Sequence, residues 1–163
     1  MLRFDNECGS GLEAHSSEAR DEGARRTTFR FAVSVPANPR VIGAVTSEVR
    51  QVLEARKWPE DEVDAVDIAL REALANAIRH GCRGDVTQYV RCAFAYGESD
   101  EVLLVVRDPG AGFDPAVVPD PFDAANMLNH GGRGLLLIRA LMDDVQFVDG
   151  GREVRMRKRK GTP

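Results

Sequence analysis

The sequence of 163 residues is poor in the features that mark membrane, secreted and disulfide-rich proteins. Its strongly apolar runs, such as Leu135-Leu136-Leu137-Ile138, are far shorter than the about 18 residues that a membrane-spanning helix needs. Acidic residues interrupt the N-terminal stretch where a signal peptide has its apolar segment. The three cysteines, Cys8, Cys82 and Cys92, are odd in number and lack zinc-site spacing, which indicates reduced thiols. We therefore expect a soluble cytoplasmic protein without membrane contact.

A face-wide excess of positive charge is also missing. The net charge is −4 at pH 7, although the stretch from Arg152 to Lys160 holds six basic residues and one acidic residue. A nucleic-acid-binding domain is expected to have a basic face rather than an acidic body with a basic end. We expect no direct contact with nucleic acid, and we interpret the basic end as a solvated strand end. A weak contact with an acidic partner is the alternative.

What the sequence does have is the composition of one globular domain, with 43% hydrophobic and 29% charged residues. Residues 1–27 lack apolar periodicity and are expected to form a disordered N-terminal extension. Residues 28–158 are expected to form the folded domain, followed by a basic tail at 159–163.

Hydrophobic periodicity predicts an α+β fold. The predicted strands are 28–35, 86–96, 101–107, 145–148 and 153–157, and the predicted helices are 39–57, 60–80 (with Gly81 as its stop) and 134–142. A long irregular segment, 108–132, separates two of these elements, and such segments commonly serve a site. This order favours a two-layer sandwich in which helices cover one face of a mostly antiparallel mixed sheet.

The first candidate cluster lies late on the second predicted helix. Glu72, Asn76 and His80 follow each other at intervals of four residues and therefore share one side of the helix with Arg79. A carboxylate next to an amide oxygen suits a general base beside a Mg²⁺ ligand. The alternatives are an ordinary solvated helix face and, for His80, a packing or capping role at the helix end.

Two glycine-containing clusters follow. Asp108 leaves an apolar strand just before Gly110 and Gly112, where a backbone can approach a flat ligand while the carboxylate accepts a hydrogen bond. Gly132-Arg133-Gly134 precedes a helix, whose free N–H groups favour phosphate. An ordinary glycine turn and a loosened helix start are the alternatives. Together with the first cluster, these residues indicate a Mg²⁺-nucleotide pocket without a Walker loop.

These motifs resemble those of a known family. Glu72-x-x-x-Asn76-Ala77 resembles the N box, Asp108-x-Gly110-x-Gly112 the G1 box and Gly132-x-Gly134 the G2 box of the Bergerat-fold (GHKL) ATPases. The surrounding residues are similar to those of the anti-sigma-factor serine kinases of bacterial partner-switching systems. The resemblance covers roughly residues 28–158.

The resemblance implies a role for each residue. Glu72 would be the general base, Asn76 would bind Mg²⁺, and Asp108 would accept a hydrogen bond from the adenine amino group. Residues 114–131 would form a short lid over ATP. The implied ATP-binding residues are Asn76, Arg79, His80, Asp108, Gly110, Gly112, Phe113, Gly132, Arg133, Gly134 and Leu135.

The resemblance also implies a function. Such proteins phosphorylate a serine on a small STAS-domain anti-anti-sigma protein, bind a sigma factor and often form homodimers. The implied activity is therefore that of an ATP-dependent protein-serine/threonine kinase. This chain departs from the family at Arg152, where many relatives have Thr after Gly, and at His130, where some have Arg.

Three other interpretations stay open from the sequence. A nucleotide-dependent interaction module would bind ATP without transferring phosphate. The ATP-binding half of a sensor histidine kinase is the second, although His15 has no helical hydrophobic pattern around it. In the third, the three boxes are a coincidence in an unliganded α+β domain.

Overall fold

A computed structural model describes residues 27–113 and 133–161 of the chain. The described elements, in chain order, are β1 (Thr27–Pro36), α1 (Ile42–Ala55), α2 (Glu60–Asn76), β2 (Tyr89–Gly97), β3 (Glu101–Arg107), α3 (Arg133–Leu141), β4 (Asp144–Val148) and β5 (Glu153–Arg159). None of the helices in the described ranges is long and apolar enough to cross a membrane. The expected N-terminal extension lies outside the described residues except for Thr27, and so does most of the expected irregular segment.

The five strands form one sheet in the order β1-β2-β3-β5-β4. Every strand pair in the described part of the chain is antiparallel, so the parallel pairing that a mixed sheet would contain is not seen there. Tight turns join β2 to β3 and β4 to β5, and tight turns produce antiparallel neighbours. The predicted α+β architecture is confirmed.

The continuous apolar run of β3 places this strand in the middle of the sheet, between β2 and β5. Val102, Leu104 and Val106 are buried on the face that the helices cover, whereas Leu103 and Val105 are half-buried on the other face. The alternation follows from the two-residue period of a strand.

The helices cover one face of the sheet, as predicted. Among the fully buried side chains of α1 and α2 are Leu53, Val66, Leu70 and Leu74, which join the inner face of the sheet in one core. Burying each such side chain stabilises the fold by about 1.5–3 kcal/mol. This packing fixes the rotation of α2 and leaves the opposite edge of the helix, which bears Glu72, for other contacts.

Helix boundaries differ from the predictions at both ends of α1. Asn38 caps a short 3₁₀ turn at Pro39–Val41, its Oδ1 accepting from Arg40 N at 3.0 Å, and α1 begins only at Ile42. The helix ends two residues before the predicted 57, because Lys57 adopts a left-handed conformation (φ 55°).

The C-terminal end of α2 widens into a π turn at Ala77–Gly81, where a regular helix was predicted to run on to a stop at Gly81. Cys82 N donates to Ala77 O at 2.8 Å, five residues back rather than four. The wider turn brings the backbone of Gly81 against Asp108, so that a Cβ at Gly81 would lie 2.1 Å from Asp108 Cγ. The turn therefore joins the first candidate cluster to the second.

Strand β2 starts at Tyr89 instead of 86. Asp85 Oδ1 accepts from Thr87 N at 3.0 Å, and this hydrogen bond holds the residues just before the strand in a turn. Strand β5 runs two residues beyond the predicted 157. Arg159 Nε donates to Glu101 Oε2 at 2.8 Å, and Lys160 Nζ donates to the backbone oxygen of Arg56 at 2.9 Å. The basic residues thus form the end of a strand with an exposed Arg159, as expected, and their side chains are in addition tied to the domain by these contacts.

Candidate functional site

A cavity of about 420 Å³ lies at the end of the sheet where β3 and α2 finish and α3 begins. Four segments surround it: the end of α2 with its π turn, the loop after β3, the start of α3 and the β4–β5 turn. Nine of the sequence-predicted site residues line it, namely Glu72, Asn76, Arg79, His80, Asp108, Gly112, Phe113, Gly134 and Leu135. The three candidate clusters, separate in sequence, therefore meet at one cavity.

Three of the sequence-predicted residues stand apart from these nine. Gly110 lies beside Asp108 but is not part of the cavity lining, and Arg133 is exposed at the start of α3 outside the lining. Gly132 lies outside the described residues, as do the expected lid at 114–131 and His130 within it.

The polar edge of α2 meets the start of α3. Glu72 and Asn76 are both half-buried, and Gly134 packs directly against them. A Cβ at Gly134 would lie 2.7 Å from Glu72 Oε2 and 3.2 Å from Asn76 Nδ2, so a side chain at this position would displace the Glu72 carboxylate. Glu72 is thus part of a shared crevice and not of an ordinary solvated helix face.

Asp108 is half-buried at the other side of the cavity. Its Oδ1 accepts from Gly110 N at 2.8 Å, and its own backbone N–H donates to Arg152 O at 3.0 Å. Burial raises the pKa of this carboxyl group, while the Gly110 N–H and the positive charges of Arg152 and Arg107 oppose the rise. The carboxylate is therefore fixed in place and faces the cavity as a hydrogen-bond acceptor.

Arginine and histidine side chains border the same cavity. Arg79 and His80 are exposed at its rim, so His80 does not have the packing role that was the alternative for it. Arg83 lies there as well, in a left-handed conformation (φ 52°). Positive charge around a cavity attracts an anionic ligand such as a polyphosphate.

Sequence reasoning missed the contribution of the β4–β5 turn and its strands. Phe147, Gly151, Arg152 and Val154 all line the cavity, yet of these only Gly151 and Arg152 were singled out from the sequence, where many relatives have Gly-Thr. The signal that could have found them is the register of β5 against β3, which places Val154 opposite Val106 next to Asp108. That register depends on pairing between distant segments, which local patterns do not reveal.

A magnesium ion bound with a nucleotide fits the donor set around Asn76. No group of three or more His, Cys, Asp or Glu side chains that could hold a metal occurs among residues 27–113 and 133–161. Mg²⁺ commonly takes only one or two protein oxygens and completes its shell with phosphates and water. The amide of Asn76 next to the carboxylate of Glu72 is consistent with that mode of binding.

Comparisons with known proteins agree with this geometry. The histidine kinase-like ATPase domain family matches residues 35–158. The serine-protein kinase RsbW of Bacillus licheniformis is 31% identical over 141 residues, which are 82% of this chain and 88% of that protein. RsbW of Bacillus subtilis (strain 168) is 31% identical over 120 residues, covering 70% and 74% of the two chains.

A solved structure shares the fold. The crystal structure of the RsbU and RsbW domains of Rv1364c from Mycobacterium tuberculosis matches 83% of this chain and 33% of that one, with a TM-score of 0.60 and 17% identity. The family match excludes a chance occurrence of the three boxes. The chain belongs to the histidine kinase-like ATPase domain family and, within it, to the group of the RsbW serine-protein kinases.

Proposed function

We propose that this protein is an ATP-dependent protein-serine/threonine kinase. In this proposal it acts as an anti-sigma-type regulator in a bacterial partner-switching system and phosphorylates a serine or threonine of a STAS-domain antagonist. The observation that supports it most is the crevice in which Glu72 and Asn76 of α2 meet Gly134 of α3 at the cavity. The names of the relatives, serine-protein kinases, support the same reaction class.

ATP is the ligand that this cavity suits. Its volume of about 420 Å³ is in the range of small-molecule sites. Asp108 would accept a hydrogen bond from the adenine amino group, and the triphosphate would extend toward the start of α3, where helix N–H groups favour negative charge. Arg79 at the rim would add positive charge, and His80 beside it would offer a ring nitrogen for a hydrogen bond.

Asn76 would hold Mg²⁺ through its side-chain oxygen. When bound, the ion would neutralise charge on the phosphates, which is a large part of catalysis in phosphoryl transfer. Glu72 lies one helical turn before Asn76 and packs against Gly134 in the same crevice, so it is also placed next to the proposed phosphate site.

Glu72 would act on the acceptor side of the reaction. Its carboxylate would take the proton of the serine or threonine hydroxyl while that oxygen forms a bond to the γ-phosphorus. The bond between the γ-phosphorus and the β,γ-bridging oxygen would break, and ADP would leave with the electron pair. The products are ADP and a phosphorylated protein, with the proton held on Glu72 until it passes to solvent.

The proposed partners are a STAS-domain protein as the phosphate acceptor and a sigma factor as the regulated protein. A homodimer is part of the same proposal, because the resemblance implies it. A sensor histidine kinase is a poorer proposal, since the relatives named above are serine-protein kinases.

The test is phosphate transfer from labelled ATP to a purified STAS-domain protein from the same organism, for the wild type and for Glu72→Gln. The substitution keeps the size of the side chain but removes the base, so we expect transfer to fall by about 10²-fold or more. Mg-ATP affinity, measured on the same samples by calorimetry, should stay within about twofold because the phosphates do not bind through the base.

Glu98→Gln is the matched control, because Glu98 is exposed in the turn between β2 and β3, at the opposite end of the sheet. It should transfer phosphate like the wild type. Undiminished transfer by Glu72→Gln would exclude Glu72 as the base. A wild type that binds Mg-ATP but never transfers phosphate would favour the alternative function, a non-catalytic ATP-binding module that sequesters a sigma factor or another output protein.

A further inference from the structure

The turn between β4 and β5, residues 149–152, is in tight contact with the loop that follows Asp108. Gly112 and Gly151 lie at this contact, both with positive φ (79° and 80°). A Cβ at Gly112 would lie 2.0 Å from Gly150 O, and a Cβ at Gly151 would lie 2.3 Å from Phe113 O. The two segments can approach this closely only because neither position bears a side chain.

Backbone hydrogen bonds join the same two segments. Phe113 N donates to Gly150 O at 2.8 Å, and Asp108 N donates to Arg152 O at 3.0 Å. The ring of Phe113 also meets the ring of Phe147 edge to face, with centroids 5.6 Å apart. The position of the Asp108 carboxylate therefore depends on where the turn lies.

One carboxylate ties this turn to the end of β3. Asp149 Oδ2 accepts from Arg107 Nη2 at 2.6 Å, and its Oδ1 accepts from Arg152 Nη2. Arg152 Nε donates in addition to the backbone oxygen of Asp149 at 3.0 Å. Asp149 thus bridges the two arginines that stand on either side of Asp108: Arg107 precedes it in sequence, and Arg152 bonds to its N–H.

Arg152 is also the residue at which this chain departs from the family pattern. It lines the cavity together with Asp108, yet its guanidinium is bound by Asp149. Glu153 adds two ion pairs to this set. Its Oε2 lies 3.3 Å from Arg107 Nη1, and its Oε1 lies 2.7 Å from Arg155 Nε. The charged network therefore reaches from the outer rim of the turn to the wall of the cavity.

We propose that Asp149 is a positioning residue for the nucleobase, acting through Arg107 and Arg152 to hold the β4–β5 turn against the loop that bears Asp108. The inference rests on the proposed binding of ATP in the cavity. It adds a residue that the family motifs do not contain and that contacts none of the reacting atoms.

If the network only stabilised the fold, removing the charge of Asp149 would lower the thermal midpoint and leave the choice of nucleotide unchanged. The side chains of Arg107 and Arg152 are about two-fifths exposed (43% and 41%), and exposed ion pairs contribute little to global stability. Removing the charge of Asp149 should therefore leave the thermal midpoint nearly unchanged and alter the local geometry around Asp108. Asn is the suitable replacement, because Asp149 has a positive φ (53°) and Asn tolerates that conformation.

The experiment compares Asp149→Asn with the wild-type full chain, using ATP and inosine triphosphate as ligands with Mg²⁺ in calorimetry. Inosine triphosphate has the same triphosphate but lacks the amino group that Asp108 would bind. We expect Asp149→Asn to bind ATP about tenfold more weakly, because a charge-assisted contact at the base is misplaced. Its affinity for inosine triphosphate should stay within about twofold of the wild type, so the preference for ATP shrinks.

Asp64→Asn is the matched control, since it removes an exposed ion pair to Arg50 between α1 and α2 and touches neither the turn nor the cavity. It should leave both affinities unchanged. Arg107→Gln is a second variant, which removes the arginine that donates to Asp149 from β3. It should show the same selective loss of ATP affinity. This variant keeps the test valid if Asp149→Asn is less stable than expected.

Equal losses for the two nucleotides, or no loss for either, would overturn the positioning role. If the wild type binds ATP and transfers phosphate while Asp149→Asn keeps its preference for ATP, only this inference fails. If the wild type binds neither nucleotide, the proposed function fails together with it.

Discussion

At the scale of a single residue, the proposed binding role of Asp108 opposes the stability of the fold. Burial raises its pKa, which means that the folded protein disfavours the ionised form relative to the unfolded chain. At neutral pH the ionised carboxylate therefore reduces the stability of the fold. Protonation relieves this penalty as the pH falls through the raised pKa, and in the proposed binding mode it would weaken the hydrogen bond from the adenine amino group, because a neutral carboxyl group is a weaker acceptor.

We predict that Mg-ATP affinity decreases as the pH falls through the raised pKa of Asp108. Replacing this residue by Asn should weaken ATP binding at pH 7 and abolish that acid limb, while the free energy of unfolding at pH 7 increases because a neutral amide loses less on burial. Calorimetric binding at a series of pH values from neutral into the acid range, and urea unfolding at pH 7, check the two parts.

Asp85→Asn is the control of opposite sign. Hydrogen bonds from Thr87 lower the pKa of Asp85, so its ionised form contributes stability that is present at neutral pH and lost as the pH falls through the lowered pKa. This variant should be less stable at pH 7 and should bind ATP normally. A lower stability of Asp108→Asn than of the wild type, with an unchanged acid limb, would contradict the assignment of Asp108.

At the scale of elements, the site depends on how the start of α3 meets α2. Gly134 lies where a side chain would reach Glu72 Oε2 at 2.7 Å, and Glu72 can yield because that oxygen is the far end of a flexible side chain. The contact therefore constrains the position of the proposed base more than it constrains the fold.

Gly134→Ala should for this reason lower phosphate transfer by about tenfold or more, since a displacement of a catalytic group by roughly 1 Å is costly. Its thermal midpoint should not fall greatly, because Ala exceeds Gly in helix propensity by about 1 kcal/mol. Single-turnover transfer and thermal unfolding of the same sample measure the two effects.

Gly43→Ala provides the comparison, as a Cβ at Gly43 in α1 would have no heavy atom of the described residues within 4 Å. It should raise the thermal midpoint through the same propensity difference and leave transfer unchanged. Full activity of Gly134→Ala would show that the base tolerates displacement and would contradict the proposed crevice.

Local patterns predicted most of these elements, because helix and strand periods are properties of neighbouring residues. The run at Val102–Val106 identified the central strand, and the spacing of Glu72 and Asn76 identified the polar edge of α2. The π turn at Ala77–Gly81 escaped prediction, since its contact between Gly81 and Asp108 joins segments distant in sequence and leaves no trace in the local hydrophobic pattern. The role of the β4–β5 turn at the cavity escaped for the same reason.

At the scale of the whole molecule, an antiparallel sheet covered by helices on one face brings distant segments to one end. The helix face of the sheet forms the core, and the cavity lies at the sheet end where β3 finishes beside the β4–β5 turn. The C-terminal residues are fastened at the other end, where Lys160 N donates to Asp100 O at 2.8 Å and Gly161 N donates to Glu62 Oε1 at 2.8 Å. Hydrogen bonds therefore hold residues 160 and 161 at one end of the sheet, and the cavity lies at the other end.

The most direct test of the central proposal is a crystal structure of the full chain with Mg²⁺ and a non-hydrolysable ATP analogue. We predict that the adenine amino group lies within hydrogen-bond distance of the Asp108 carboxylate, that Asn76 ligates the ion, and that the γ-phosphate faces Glu72 beside Gly134. A nucleotide bound elsewhere on the molecule, or one whose γ-phosphate points away from Glu72, would contradict the proposal.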